Sequence, residues 1–377
     1  MQSQAGLYIH IPFCQRKCEY CDFYSITRLE EMEAFVEALL TEIRLRAPEF
    51  AGVRFATVFF GGGTPSLLGE AQLERIWAAL HRHFDIDPGG EFTLEANPGT
   101  LTPEKLRFLK SLGLNRLSLG VQSFHEHELA FLGRIHTVEE VIANVGHARE
   151  AGFDNINLDL MTAFPGITEA SFRSSLARAV ALQPEHLSCY TLIFEPGTVL
   201  YKRMRRGEVQ PLSEEEEARY YNIARQVLEG EGYEQYEISN FARGKAHVCR
   251  HNLIYWTHAP YLGLGPSAHS FFRHQRLANR RSLTAYINLL RRGELPVEFV
   301  ETLSAEQLQF EYIFLRLRLR EGIDLEDYRR RFGRELPQQY AGILHRLQEQ
   351  QLVQLTDRTL RLTDRGWLLA DAVATWF

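Results

Sequence analysis

Three cysteines fall within eight residues, Cys14, Cys18 and Cys21 in the stretch LYIHIPFCQRKCEYCDFY, and nothing else in this chain constrains it as strongly. They follow an alternating apolar run, Leu7 to Ile11, so the loop they occupy leaves the end of a strand. Thiolates are soft ligands suited to iron-sulfur clusters, zinc or copper(I), and a loop this dense in sulfur reads first as a metal site. A structural zinc site closes its tetrahedron with four ligands, and the only fourth candidate nearby, His10, lies inside the strand. Redox thiols are a further alternative. Three sulfur donors on a cubane four-iron cluster would leave one iron open to an exchangeable ligand.

From Leu7 to Leu192 short apolar runs alternate with amphipathic stretches of helical length. Strands are expected at Leu7–Ile11, Phe55–Phe60, Glu91–Glu95, Arg116–Leu119, Asn155–Met161 and His186–Leu192. Between them lie helical segments such as 30–46, 70–83, 103–112, 138–151 and 169–182. This alternation implies an α/β fold with a parallel sheet, and six such units fall short of a closed eight-stranded barrel. The unusual residues cluster at the strands' C-terminal ends, where barrels of this kind place their chemistry. The cysteines follow the first strand and Gly61-Gly62-Gly63-Thr64-Pro65-Ser66 the second, where missing side chains allow backbone amides to approach a ligand. Glu95 ends the third strand, Gly120-Val121-Gln122-Ser123 the fourth, and Asp159 lies near the end of the fifth. Singly, each has a plainer explanation: GGGTP as an ordinary turn, Glu95 as a helix-capping carboxylate, Asp159 as a buried anchor. Their common side favours a cofactor pocket.

The chain has 377 residues, 45% of them apolar, enough for a large core and two or three domains. A net charge of −6 offers no general attraction to nucleic acid or anionic membrane. No apolar run approaches the roughly 18 residues of a spanning helix. The opening MQSQAG lacks the basic start and apolar stretch of a signal peptide, so a cytoplasmic location is expected. Five cysteines, three of them clustered, suit a reducing compartment in which thiols serve as ligands.

CxxxCxxC with an aromatic residue before its last cysteine resembles the signature loop of the radical S-adenosylmethionine (radical SAM) family, and the other motifs resemble its coproporphyrinogen-oxidase-like branch. The resemblance implies a partial (β/α)6 barrel with a [4Fe-4S] cluster on Cys14, Cys18 and Cys21. In that family SAM takes the open iron, and an electron from the reduced cluster splits its sulfonium. Carried over residue by residue, the SAM contacts would be Tyr8, six positions before the first cysteine, then Gly62, Gly63 and Thr64 of the glycine-rich turn, Glu95 in LEANP, Gln122 in GVQSF, Arg134 in LGRIH and Asp159 in NLDLM. Arg134 suits a carboxylate through its planar fork, and the acids suit ribose hydroxyls or an ammonium.

Beyond Leu192 the pattern changes. YKRMRR at 201–206 and the acidic helix start after Ser213 read as solvated surface, with Ser213 as the cap. A further strand is expected within 233–239. His251 opens HNxxYW, which on residues alone reads first as a packed core turn with a satisfied imidazole and only second as an axial haem ligand flanked by aromatic faces. The motif resembles that of the branch's haem chaperones, which differ from its true coproporphyrinogen oxidases. A fourth cysteine two residues after the third, found in those oxidases, is here Phe23, and their longer segment ahead of the loop is missing. The resemblance therefore implies a protein that binds haem as cargo at or near His251 and delivers it to an apo-haemoprotein, with a reductant protein serving the cluster. The rival activity is oxidative decarboxylation of coproporphyrinogen III or another SAM-radical reaction on a tetrapyrrole. Cys189 and Cys249 are expected to be quiet core thiols, Cys249 being a remote second haem ligand at most. The expected division is a barrel over 1–240, a connecting segment with HNxxYW over 241–302, and a mostly helical winged-helix-like domain over 303–377. That last domain carries no concentrated basic face, so protein contact or lid duty is expected ahead of DNA binding. Whether the chain forms a homodimer is left open.

Overall fold

In the computed structural model, which describes residues 5–377, the six expected strands form the centre of one sheet. They are β1 (Ala5–Ile11), β2 (Arg54–Gly62), β3 (Asp85–Ala96), β4 (Arg116–Gln122), β5 (Ile156–Thr162) and β6 (His186–Thr191), each parallel to its neighbour in chain order. β1 is buried almost end to end, as a parallel strand covered on both faces must be. The crossover helices supply the outer cover. Glu70–His83 turns Leu73, Ile76 and Leu80 inward, and Val138–Glu150 starts on a capping box between Thr137 and Glu140.

The sheet continues on both sides. Beyond β6 it adds β7 (Glu234–Gln235) and β8 (Asn240–Ala242), antiparallel and very short. Beyond β1 it adds β9 (Tyr261–Leu264), parallel to β1, followed by antiparallel β10 (His269–Phe272), β11 (Gln275–Asn279) and β12 (Val297–Thr302). Among the described residues this makes twelve strands in the order β12-β11-β10-β9-β1-β2-β3-β4-β5-β6-β8-β7. The added hairpins are locked to the helix Met32–Arg46 by the buried carboxylate of Glu42, which accepts hydrogen bonds from Gly265 N (2.8 Å), Asn279 Nδ2 (2.6 Å) and Tyr286 Oη (2.7 Å).

The C-terminal domain has its own core, built on Tyr312, Ile313, Tyr328, Leu344, Leu347, Leu360 and Trp367. Helix Ala305–Leu317, strand β13 (Ile323–Asp324), helices Leu325–Phe332 and Ala341–Glu349, then β14 (Val353–Leu355) and β15 (Thr359–Leu362) follow one another in winged-helix order. The three strands pair as β13-β15-β14. The domain meets the barrel where Arg320 N donates to Tyr236 O (2.9 Å) and where the Arg318 guanidinium lies 4.9 Å from the Trp256 ring centre.

Candidate functional site

Strand alternation turns one face of β2 to β6 inward, and that face is unusually polar. Thr57, Glu91, Thr93, Glu95, Arg116, Ser118, Asn157, His186 and Ser188 are all buried or nearly so. Buried polar groups persist only when bonded, and here they form a chain. Asp159 accepts from Ser118 Oγ (3.1 Å) and Asn157 Nδ2 (2.9 Å). Asn157 Oδ1 takes His186 Nδ1 at 2.6 Å, and His186 Nε2 meets Tyr236 Oη at 2.8 Å. An amide oxygen only accepts, so His186 carries its proton on Nδ1 and Tyr236 donates to Nε2.

At the C-terminal rim the cysteine loop is seated by the glycine-rich turn. Gly63 N donates to Ile11 O (2.8 Å) and Thr64 N to Phe13 O (2.7 Å), while Gly62 N donates to Glu95 Oε2 (3.2 Å). These amides, expected to be open to a ligand, are spent on holding the loop and Glu95. The glycines are needed for that fit: Gly62 has φ +106°, and a Cβ on Gly63 would stand 2.6 Å from Phe13 O. Thr64 also donates from Oγ1 to Cys14 Sγ at 3.5 Å.

Arg134 reaches the same place from the loop after helix Glu126–Phe131. Nη1 donates to Cys18 Sγ (3.5 Å), and Nη2 to Asn97 Oδ1 and Gly120 O (both 2.6 Å). Its Nε is buried without a partner, a vacant donor beside the thiols. Gln122 adopts φ +70° at a register shift between β4 and β5, and its amide lies against the same Gly120 that Arg134 and Asn97 flank. Tyr8 lies on β1 with its hydroxyl 3.1 Å from His10 Nδ1, and His10 Nε2 is bonded to Tyr24 O (2.8 Å) in the cysteine loop.

The rim's electrostatics follow from burial. Glu95 is pushed up to about 8 by burial and then by the charge of Asp159, and Asp159 is itself raised by burial despite its hydrogen bonds. Burial raises the Cys14 thiol and lifts Cys21 to about 11, with smaller upward pushes on Cys21 from Cys18 and Cys14. The three sulfurs thus sense one another, yet among the described residues no three His, Cys, Asp or Glu side chains converge on a single ion. Three sulfur donors with no nitrogen or oxygen ligand beside them suit an iron-sulfur group, whose irons are held by thiolates. The unpartnered Arg134 Nε fits an adjoining ligand that brings a carboxylate, and a cation on the same ligand would return the charge to Glu95 that burial and Asp159 disfavour.

Tyr8, Gly62, Gly63, Thr64, Glu95, Gln122, Arg134 and Asp159 therefore lie along one rim with the cysteines. His251 does not join them. It lies deeper in the barrel, 1% exposed, on the helix Arg250–Trp256 whose start is capped by Glu91. Its Nδ1 meets Thr57 Oγ1 at 2.7 Å and its Nε2 meets Tyr255 Oη at 2.9 Å. The ring stacks on Phe59 (centroids 4.9 Å apart) and, farther off, on Tyr8 (6.4 Å). Burial, followed by the Arg116 charge, holds its pKa down to about 3, so it is a neutral imidazole with both nitrogens engaged.

Several residues of the site carry no motif that assigned them. Asn97 joins Thr64 and Arg134, donating from Nδ2 to Thr64 Oγ1 at 2.9 Å, and its place in Ala96-Asn97-Pro98 was the one available signal. Glu19 accepts from Leu200 N (2.9 Å) and Arg203 Nη1 (2.6 Å), and Arg281 donates to Asp22 O (2.6 Å). These partners come from beyond residue 199, so no spacing near the cysteines announces them.

A radical SAM superfamily model matches residues 8–179, and the HemN C-terminal domain model matches 303–369. The chain is thus a radical SAM protein carrying a HemN-type C-terminal domain. It is 36% identical over 368 residues to the heme chaperone HemW of Bacillus subtilis, covering 97% of both chains. It is 33% identical to the Lactococcus lactis HemW over 99% of this chain and 97% of that one. The Danio rerio mitochondrial radical S-adenosyl methionine domain-containing protein 1 is 34% identical over 98% of this chain and 86% of its own. With relatives of this identity along its whole length, the chain belongs to the HemW family. Among solved structures, Escherichia coli coproporphyrinogen III oxidase (HemN) superposes with a TM-score of 0.87 at 25% identity, covering 99% of this chain and 90% of that one.

Proposed function

We propose that this protein is a haem chaperone: it binds haem as cargo and passes it to an apo-haemoprotein. The observation that carries the reading is similarity along essentially the whole chain to proteins named heme chaperone HemW, down to the C-terminal domain. In this reading Cys14, Cys18 and Cys21 hold a [4Fe-4S] cluster, and Tyr8, Gly62, Gly63, Thr64, Glu95, Gln122, Arg134 and Asp159 line the SAM seat. When bound, the cluster supplies the single electron for reductive cleavage of SAM. The protein's own contribution is placement. Arg134 orients a carboxylate next to Cys18, Glu95 and Asp159 offer acceptors to an ammonium or to ribose hydroxyls, and Thr64 and Arg134 donate to the sulfurs. A cytoplasmic site of action and a separate reductant protein complete the proposal.

His251 is the candidate haem ligand. As placed, it would have to release Tyr255 from Nε2 before meeting iron, and because both side chains sit one turn apart on the helix Arg250–Trp256, it is the Tyr255 side chain that would have to swing away. Anaerobic reconstitution with iron and sulfide, followed by haem titration and transfer to an apo-haemoprotein, tests the reading. Stoichiometric haem uptake and transfer are expected, and their absence overturns it.

The second reading, coproporphyrinogen III oxidation, draws on the likeness to HemN. The residue two after the third cysteine is Phe23, whose ring is 66% exposed, so the loop offers no fourth thiol there. Vinyl product from coproporphyrinogen III under reducing, SAM-replete conditions would favour this reading over the chaperone.

A further inference from the structure

YKRMRR reads from the sequence as ordinary solvated surface, yet the structure fastens that run to the cysteine loop. Its helix, Val199–Arg205, begins where Leu200 N donates to Glu19 O (2.9 Å), one residue past Cys18, and Arg203 Nη1 donates to the Glu19 carboxylate at 2.6 Å. With Leu200 and Arg203 turned to the loop, the helical period leaves Lys202 and Arg205 on the solvent side, both exposed, and Arg206 after them. Arg16 and Lys17, in the loop itself, are exposed as well, and Arg16 lines a small cleft together with Cys18 and Ile135.

The charge there is unbalanced. Glu19 and Glu208 pair with Arg203 and Arg206, and Asp22 pairs with Arg281 (3.2 Å). That leaves Arg16, Lys202 and Arg205 with no carboxylate partner among the described residues, while Lys17 Nζ bonds the carbonyl of Phe23 (3.2 Å). In a chain of net charge −6 such a gathering of cations is a local field and not a property of the whole surface. Exposed apolar side chains stand among them: Phe23, Ile135 and Val199. Apolar groups ringed by charge are the make-up of a protein-docking surface. The patch also borders the two cysteines that stay partly exposed, Cys18 and Cys21, whereas Cys14 is buried.

We propose that this basic collar is the docking surface for the cluster's electron donor, a small acidic protein carrying a low-potential one-electron group. The inference rests on the reading of Cys14, Cys18 and Cys21 as cluster ligands, and it adds the partner's charge and the surface it uses. Electron transfer weakens steeply with distance, so the donor has to approach where sulfur nears solvent. A transient encounter of this kind needs only a small interface, steered by opposite charge. With a flavin carrier, the partner's hydroquinone anion loses one electron to the cluster and becomes the neutral semiquinone, with no proton to place. A lipid surface would also answer to positive charge, but it would not require that charge to gather at the thiols.

The test uses the full-length, anaerobically reconstituted protein, with photoreduced flavodoxin as the acidic donor. Iron and sulfide content, and bleaching by photoreduced 5-deazariboflavin, a small donor that needs no docking surface, report on the cluster alone. Failure there overturns the cluster reading, and the docking surface with it. With the cluster reducible, the second-order rate of reduction by flavodoxin is expected to fall as ionic strength rises from about 0.05 to about 0.5 M. Lys202→Ala combined with Arg205→Ala should lower that rate, and the calorimetric affinity for oxidised flavodoxin, about tenfold at low salt. Lys245→Ala combined with Arg358→Ala removes the same charge from exposed positions outside the collar and should change neither. Both double variants should unfold like wild type and keep the deazariboflavin rate. A wild-type flavodoxin rate without Lys202 and Arg205, or an equal loss in the control pair, overturns the docking surface. So does binding to phosphatidylglycerol vesicles that is lost without Lys202 and Arg205 while the flavodoxin rate is kept, a result that gives the patch to lipid.

Discussion

Arg134 and Cys18, far apart in sequence, meet at 3.5 Å, with the guanidinium's second arm clamped to Gly120 O and Asn97 Oδ1 at 2.6 Å. A cation donating to a sulfur stabilises the more negative state of whatever that sulfur binds. Arg134→Ala is therefore expected to retain iron and sulfide, to weaken SAM binding about tenfold or more, and to make the reconstituted cluster harder to reduce. Metal analysis, equilibrium dialysis with SAM and a redox titration read the three effects. SAM affinity equal to wild type would remove Arg134 from the SAM seat.

Gly63→Ala tests how the loop is held. The added methyl would press on Phe13 O at 2.6 Å and Ile11 O at 2.9 Å, the two carbonyls that Thr64 N and Gly63 N bond. Relief requires the cysteine loop to move, at a cost of about 1–3 kcal/mol. Denaturant unfolding should show that loss, and iron content after reconstitution should fall with it. A variant with wild-type stability and full iron would show the seat to be looser than described.

Glu95 gives the ligand-free protein a pH dependence of definite sign. An unfolded glutamate titrates near 4.5, whereas burial and Asp159 place the folded group near 8, so between those values the folded state holds the extra proton. The contribution is fully present below the unfolded value and is lost as pH rises through about 8. Stability of the ligand-free protein should fall from about pH 4.5 to about pH 8 and level off above that, and Glu95→Gln should flatten the fall. Identical unfolding midpoints for both proteins across the range would contradict the assignment.

The barrel was legible because each of its six central strands is a short apolar run with a helix-length segment behind it, and the structure reproduces all six. The rim was legible for the same reason, since each strand end carries one residue too polar or too small for its surroundings. β9 to β12 escaped notice because Tyr261–Leu264 and His269–Phe272 are broken by glycine, histidine and serine, and they become strands only by pairing with β1 and with each other. Of the strand expected within 233–239 only β7 forms, because Tyr236 and Glu237 turn toward His186 and Asn240 instead of continuing the ladder, and β8 begins just beyond it. In HNxxYW the spacing named the residues, while their depth depended on Thr57, Phe59 and Glu91, which lie more than 150 positions earlier in the chain.

That depth makes His251 the sharpest test of the cargo reading. An imidazole held near pKa 3 is neutral at any physiological pH, so its lone pair is not lost to protonation, but both nitrogens are already bonded to Thr57 and Tyr255. Haem ligation must displace the Tyr255 contact, whereas a purely structural histidine would keep it. His251→Ala removes the stack on Phe59 and strands two hydroxyls, and should cost about 2–4 kcal/mol of stability on either account. Loss of haem binding in that variant alone would therefore not separate the two. His251→Gln does, because an amide can satisfy Thr57 and Tyr255 but is a poor iron ligand. Should it keep near-native unfolding and lose the haem-induced absorbance change, His251 is the ligand and the Tyr255 side chain swings aside to free it. Haem titration like wild type would instead make the imidazole part of the barrel floor beneath Tyr8, with the cargo held elsewhere.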